Sequence, residues 1–201
     1  MSLASMLRHW NGQDAVWVFA YGSLIWNPEL DFDDKHCGMV HGYHRSLCLW
    51  SRLYRGTPQA PGLVLALDHG GSCQGVAYRV PGPIARRELT RLWQREMVTG
   101  AYQPRWLKVR PCGPCARSSK PHANVTALGF TIRRDRPAYA GKLDEATLLD
   151  TLRHARGLRG TSADYLMSTV ASLTAHGLED LRLARLAEKL AASLPKDQAA
   201  S

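Results

Sequence analysis

Residues 16–24 read V-W-V-F-A-Y-G-S-L, and the reading of this stretch decides the fold. Val16, Trp17, Val18 and Phe19 are β-branched or aromatic, the residue types that suit a pleated, half-buried surface, and Gly22-Ser23 then breaks the run. The stretch predicts a strand that enters a tight turn. Glycine has no Cβ, so a Gly-Ser turn at a strand end presents successive backbone N–H groups to a ligand, with a hydroxyl beside them. That is the chemistry of an anion or oxyanion cradle. An ordinary strand with an ordinary turn is the plainer reading of the same residues, and the rest of the chain has to decide between them.

Around this stretch lie 201 residues, 45% of them hydrophobic, enough for one sizeable core and too few for two. A single domain over residues 1–201 is expected, with its core over about 16–194 and a disordered tail over 195–201. The N-terminal M-S-L-A-S-M-L-R-H-W lacks the apolar run of a signal peptide, and no stretch reaches the length of a membrane span. A soluble, cytoplasmic protein without membrane association is expected. Five cysteines, Cys37, Cys48, Cys73, Cys112 and Cys115, are odd in number and irregular in spacing, which argues for thiols and against a disulfide framework. The formal net charge of +9 raises a nucleic acid or an acidic partner. The arginines are scattered, however, and neither zinc-finger spacing nor an aromatic RNA-binding signature accompanies them, so nucleic acid is not expected. A basic surface equally favours encounter with a small anionic substrate. Oligomeric state is not readable.

Downstream of the opening stretch, Asn27-Pro28 ends the strand region and Gly38–Ser51 reads as one long or bent strand. His41 and His44 stand three apart, so on a strand they face opposite sides and cannot share a metal ion. Arg52–Pro61 contains Y-R-G-T-P-Q-A-P, an exposed loop with Arg55 at its centre. A guanidinium there is either a solvated loop charge or a clamp for a carboxylate. Leu63–Asp68 and Gln74–Val80 are apolar runs joined by H-G-G-S, a hairpin signal.

Pro81-Gly82-Pro83 precedes a helix over Ile84–Thr99. At about 100° per residue, Ala85, Leu89, Leu92, Trp93 and Met97 share an apolar arc, and Arg87, Arg91, Gln94 and Arg95 share the opposite one. Glu96 falls within the apolar arc. Carboxylates are almost never fully buried without partners. Glu96 therefore either lies at a fraying helix end, where it reaches solvent or pairs with Arg95 or Arg105, or sits in a partly dry cleft. In the second case desolvation raises its pKa towards the range useful to a general base.

Two further strands, Arg105–Arg110 and Val125–Arg134, flank Cys112-Gly113-Pro114-Cys115. A thioredoxin-type dithiol opens a helix after a strand, whereas these cysteines sit in a loop between strands, and a zinc site with His122 lacks a fourth ligand. A glycine-proline turn that carries two cysteines is the preferred reading. The remainder is helical: Asp144 opens a helix that stops at Gly157, Ser162 caps one that reaches His176, and Leu178–Leu194 forms a third.

Taken in order, V-W-V-F-A-Y-G-S-L-I-W, Y-R-G-T-P, G-V-A-Y-R-V, R-E-M-V-T-G-A-Y, the Tyr139-Ala140-Gly141 segment and G-L-R-G-T-S-A-D-Y-L resemble the ChaC family of γ-glutamylcyclotransferases, from about Val16 to Gly177. The resemblance implies an α+β fold, a small mixed β-barrel with flanking helices and a helical C-terminal third. It also implies a glutathione-specific activity that releases 5-oxoproline and cysteinylglycine without metal or cofactor. It makes Val18, Phe19, Ala20, Tyr21, Gly22 and Ser23, continuing to Leu24, the substrate-binding loop, and Glu96 the catalytic acid/base. Ala20 stands where the family commonly has glycine, and C-G-P-C is not a family feature. The chemistry is coherent with the residues. The substrate's own α-amine attacks its γ-amide, so neither a serine elbow nor a Cys-His pair is required. Arg55 is the candidate cation for the distal carboxylate, with Arg52 and Arg105 as the other basic candidates. Action on other γ-glutamyl amines or dipeptides is the alternative within the class, and a basic module binding nucleic acid or an acidic partner the alternative outside it.

Overall fold

The computed structural model describes residues 2–113 and 123–194. Strand β1 (Val16–Ala20) pairs antiparallel with β3 (Gly62–Val80) and, at Trp17 and Val18, parallel with β5 (Val125–Ile132). β3 runs beside β2 (Asp34–Ser51), and β4 (Tyr102–Pro111) joins β2 to β5, so five strands close a barrel in the order β1-β3-β2-β4-β5. Phe19 lies with Val40, Leu67, Ala77, Leu107 and Ala127 in a cluster of strand residues, while Val16, Val18 and Ala20 pack against helix residues on the other side. β1 is thus buried on both faces rather than half-buried, which is why its sequence is continuously apolar instead of alternating.

One expectation is overturned. H-G-G-S is not a hairpin turn: β3 passes through it, and its two halves pair with successive halves of β2, from Ser51 opposite Gly62 to Asp34 opposite Arg79. Gly70 and Gly71 have the positive φ of turn residues, 96° and 72°, but they face a bulge in β2 at Gly42, φ 83°. Both strands carry glycine at the same level and bend together, and a bulged ribbon makes the same backbone demand as a turn. The bulge also breaks the two-residue alternation used above to separate His41 from His44. His44 Nδ1 lies 3.0 Å from the Gly70 carbonyl oxygen.

Helix α1 (Leu3–Met6) precedes the barrel, and α2 (Gly82–Glu96) follows β3 with proline in its first turn. α2 ends at Glu96 itself, three residues before the expected Thr99. The C-terminal third holds α3 (Glu145–His154), a two-stranded ribbon of β6 (Arg156–Gly157) and β7 (Gly160–Thr161), α4 (Ser162–Ala175) and α5 (Leu181–Ser193). Asp144 caps α3 by accepting the Thr147 N–H at 2.9 Å, as expected. α4 is capped by Thr161 rather than Ser162: Thr161 Oγ1 accepts the Asp164 N–H at 2.9 Å while Asp164 Oδ2 accepts the Thr161 N–H at 3.0 Å. Ser162 is buried and ties α4 to the loop after β2, donating to the Arg55 carbonyl at 3.0 Å and accepting the Leu63 N–H at 3.1 Å. Leu89, Leu152, Leu166, Leu173 and Leu190 pack these helices onto the barrel.

Arg45 on β2 fastens three of these parts together. Its side chain is 3% exposed. Nε donates to the Tyr21 carbonyl, Nη2 to the Gln74 carbonyl, and Nη1 to Asp180 Oδ2 at 2.8 Å. Asp180 is the N-cap of α5. A methionine at position 45 fills similar space but leaves two carbonyls and a carboxylate without their donor. Arg45→Met should therefore destabilise the protein by about 3 to 5 kcal/mol, read as a lower midpoint in urea unfolding. Asp180→Asn, which leaves both carbonyl bonds in place, should cost less; equal costs would reduce Arg45 to its Asp180 bond alone.

Candidate active site

A cavity of about 330 Å³ opens where the turn after β1, the loop after β2, the end of α2, the start of β4 and the β6–β7 ribbon converge. Its lining includes Ser23, Trp26, Trp50, Tyr54, Arg55, Glu96, Tyr102, Arg159 and Tyr165. A smaller hollow, about 20 Å³, is bordered by Tyr21, Gly22, Ser23 and Leu24 on one side and Glu96, Tyr102 and Tyr165 on the other. The turn and the anomalous glutamate, 72 residues or more apart in sequence, thus share one site.

Glu96 does not reach out into solvent. Its side chain is 14% exposed at the last residue of α2, and Oε1 lies 3.2 Å from Arg95 Nε. Burial pushes its carboxyl above its ordinary value; Arg95 pulls it down, Glu29 adds to the rise and Arg159 opposes it, and burial prevails. Another glutamate on the same helix shows the converse. Glu88 is wholly buried, yet it receives Arg87 Nε at 2.7 Å, Arg91 Nη1 at 3.2 Å and the Asp31 N–H at 3.2 Å. Burial pushes Glu88 up as well, but these donors outweigh it and its pKa is lowered. Glu88 is a permanently charged anchor, and Glu96 is a carboxyl poised to take up a proton. Tyr21, Tyr102 and Tyr165 are also pushed up by burial, Tyr165 to about 12, and stay neutral around it.

The turn supplies donors. Ser23–Ile25 form one 3₁₀ turn in which the Gly22 carbonyl accepts the Ile25 N–H and the Ser23 carbonyl accepts those of Trp26 and Asn27. The N–H groups of Gly22, Ser23 and Leu24 have no acceptor among the described residues, as is usual where a helical turn begins. Val18, Phe19 and Ala20 contribute differently from the expectation. Their side chains are fully buried in the barrel wall and do not line either hollow. Ala20 is ordinary strand, with no positive φ, so the missing family glycine costs nothing here.

Arg55 is not a solvated loop charge. It is 9% exposed, its guanidinium lies 5.5 Å from the Tyr165 ring centre and 5.8 Å from that of Trp26, and Nη1 donates to the Thr161 carbonyl at 3.2 Å. Burial lowers its pKa. Among the described residues no carboxylate forms an ion pair with it. Arg52 also lines the cavity, whereas Arg105 does not. Arg105 lies in a larger hollow of about 520 Å³ between β2 and β4, with His41, Lys108 and Arg110 but no carboxylate.

Two site residues, Glu29 and Arg159, had no role in the sequence reading, and Arg95, named there as a partner for Glu96, pairs with it and does more besides. Arg95, assigned to the polar arc of α2, is 14% exposed and donates to the Asn27 carbonyl at 2.8 Å and to Ser23 Oγ at 3.1 Å. Glu29 receives Arg95 Nη1 at 3.1 Å and lies 3.6 Å from Arg159 Nη1. Arg159 stacks on Tyr54 at 4.7 Å. Glu29 carried no sequence signal, and Arg159 stood within the G-L-R-G-T-S-A-D-Y-L segment without an assigned role; the clue for Arg95 was its position beside Glu96.

The remaining candidates are quiet. Burial pushes the Cys48 thiol up to about 12 and Cys73 to about 11, so neither is a nucleophile. Cys112 is buried at the end of β4, while Pro114, Cys115, His122 and the tail after Leu194 lie outside the described residues. Among the described residues no group of three His, Cys, Asp or Glu side chains converges on a metal position, and no helix is long and apolar enough to cross a membrane.

The fold and cavity define a closed five-stranded barrel protein with a desolvated carboxyl in a cavity lined by arginines and aromatic rings. The fold matches that of a yeast γ-glutamylcyclotransferase specific to glutathione, with a TM-score of 0.78 and 20% identity over 89% of this chain and 96% of the yeast one. The chain belongs to the ChaC-like protein family, whose model matches residues 16–193. A glutathione-specific γ-glutamylcyclotransferase of Escherichia coli K12 is 38% identical over 179 residues, 89% of this chain and 74% of the relative. Glutathione-specific γ-glutamylcyclotransferase 1 of Homo sapiens is 30% identical over 196 residues, 96% and 86% of the two chains.

Gly22 is closely packed against the opposite wall of the site. A Cβ there would meet Tyr165 Oη at 2.9 Å, and that hydroxyl is held in place as the acceptor of the Leu65 N–H at 3.2 Å. Gly22→Ala should cost about 1 to 3 kcal/mol of stability through overpacking. In a Tyr165→Phe background, where the oxygen is gone, the same substitution should cost clearly less in thermal unfolding. An unchanged cost would mean that Gly22 is required for its backbone and not for the approach of Tyr165.

Proposed function

We propose that this protein is a glutathione-specific γ-glutamylcyclotransferase, converting glutathione to 5-oxoproline and cysteinylglycine. The observation that carries the reading is the Glu96 carboxyl, desolvated and raised in pKa inside a cavity whose other charges are chiefly guanidiniums. Membership of the ChaC-like family and the activities for which the E. coli and human relatives are named support it.

The reaction needs no enzyme nucleophile. The substrate's α-amine attacks the γ-carbonyl carbon, a C–N bond forms, the γ-amide C–N bond breaks, and cysteinylglycine leaves as an amine. Holding the γ-glutamyl chain folded supplies a large effective molarity, up to about 10⁵ M or more. We assign three tasks to the chain. Glu96 takes the proton from the attacking nitrogen and returns it to the departing one, a transfer for which a raised carboxyl pKa is suited. The N–H groups of Gly22, Ser23 and Leu24 hold the α-carboxylate or the oxyanion of the tetrahedral intermediate, where one donor contributes about 2.7 to 4 kcal/mol. Arg55 binds the glycine carboxylate, since a buried guanidinium with no ion pair among the described residues is relieved by one.

Incubation with glutathione and with γ-glutamyl-alanine, following 5-oxoproline, tests the activity and its breadth. Glu96→Gln should lower kcat by about 10² to 10⁴; retention of more than about a tenth would remove Glu96 from the acid/base role. The same variant should not be less stable at neutral pH. The folded-state pKa of Glu96 is raised, so its contribution to stability is present at low pH and is lost as pH rises through that pKa.

Arg55→Ala should raise KM for glutathione much more than it lowers kcat, because the contact is remote from the reacting bond. It should matter little for a γ-glutamyl amine without a distal carboxylate. Equal losses on both substrates would make Arg55 a support of the loop instead.

A further inference from the structure

Glu29 combines two features that the reaction described above leaves unused. It is the one non-glycine among the described residues with a positive φ, 49°, immediately after Pro28. Such a backbone is strained for a residue with a side chain. The strained turn holds a carboxylate at the cavity rim with contacts on both oxygens. Oε1 accepts the Asn27 amide at 2.8 Å and faces Arg159 Nη1 at 3.6 Å, and Oε2 faces Arg95 Nη1 at 3.1 Å. These two arginines are the cations that act on Glu96, one from α2 and one from the β6–β7 ribbon.

Resting on the reading of Glu96 as the acid/base, we propose that Glu29 is a positioning residue. It tethers Arg95 and Arg159 to the rim and divides the Arg95 guanidinium, whose Nε lies 3.2 Å from Glu96 Oε1 while its Nη1 faces Glu29 Oε2, so that neither arginine serves Glu96 alone. The surroundings leave it this role. The charged groups acting on Glu96 are Arg95, Arg159 and Glu29, and the other titratable neighbours are Tyr21 from the end of β1, Tyr102 from β4 and Tyr165 from α4, all held neutral by burial. Glu29 itself is pushed up by burial, but the Asn27 bond and the two arginines outweigh this and lower its pKa, so it stays ionised where Glu96 titrates. Arg95 is further occupied by the Asn27 carbonyl and Ser23 Oγ, and Arg159 by the Tyr54 ring. A guanidinium already matched by Glu29 draws less on Glu96. The consequence is a base whose proton affinity, raised first by burial, is raised further by a second carboxylate at the rim.

The test is the acid limb of kcat/KM for 5-oxoproline release, where activity falls as Glu96 takes its proton. Glu29→Gln removes the charge and keeps the shape; Glu29→Gly removes the charge and also relieves the positive φ. Both should move the acid limb to lower pH by the same amount, roughly half a unit to one unit. Only Glu29→Gly should keep or raise the melting temperature. Arg159→Gln should move the limb the other way, to higher pH. A limb that stays fixed in both Glu29 variants, or that moves in Glu29→Gln alone, overturns the proposal. If neither Glu29 variant folds, Arg159→Gln decides, and absence of its upward shift overturns the proposal. Failure of the underlying reading looks different: an active Glu96→Gln enzyme would assign the limb to another group altogether.

Discussion

The contact on which the site depends most is the buried guanidinium of Arg45. Its three donors reach the Tyr21 carbonyl at the end of β1, the Gln74 carbonyl on β3 and the Asp180 side chain at the start of α5. A cation taken out of water is tolerable only when its hydrogen-bonding capacity is filled, so all three partners must be in place together. This couples elements that are remote in sequence: the barrel cannot register its first strand without also seating the C-terminal helix. Because the Tyr21 carbonyl is held from one side, the peptide that leads into Gly22 has its orientation fixed before any ligand arrives. Preorganisation of that kind is what a donor-lined turn needs if its N–H groups are to face charge without reorganising.

The two glutamates of α2 show how the same side chain acquires opposite character. Glu88 and Glu96 are two helical turns apart, both beside arginines, both withdrawn from water. At Glu88 two guanidiniums and a backbone N–H supply charge-assisted bonds to both oxygens, and the carboxylate is locked in its ionised form. At Glu96 the adjacent Arg95 is shared with Glu29, Ser23 and Asn27, so its help is divided and desolvation prevails. Glu88 has three donors on its two oxygens and Glu96 has one arginine shared with three other acceptors, and that difference decides whether burial prevails.

The parts of this structure legible in the sequence are the local ones. An apolar run of β-branched and aromatic residues specifies β1, the arcs of α2 expose Glu96 as an anomaly, and Asp144 announces α3, because each signal lies within one or two turns of chain. The parts that escape it rest on partners far away. Arg55 reads as exposed because prolines and glycine surround it; its burial comes from Ser162, 107 residues later, and from two aromatic rings supplied by other elements. Arg95 belongs to the polar arc by angle, yet its partners Ser23 and Asn27 lie 72 and 68 residues earlier. H-G-G-S misleads for a different reason, since glycine reports a backbone conformation and not the structure that uses it. Thr161 and Ser162 are adjacent hydroxyls of equal capping propensity, and only the reach of Asp164 and the Arg55 carbonyl assigns them different work.

Arg55 and Glu96 make a matched pair of discomforts. Burial pulls the pKa of the one down and pushes the pKa of the other up, and it outweighs the help that Asp164 gives Arg55 and Arg95 gives Glu96, so each charged form is disfavoured by desolvation. A ligand that carries an ammonium at one end and a carboxylate at the other relieves both at once. One with only the ammonium relieves half, and a purely apolar occupant relieves neither. A γ-glutamyl peptide carries both groups, whereas a γ-glutamyl amine lacks the distal carboxylate. The aromatic lining of Trp26, Trp50, Tyr54 and Tyr102 serves the same end by keeping the space between those charges poor in water, where each ionic contact is strongest.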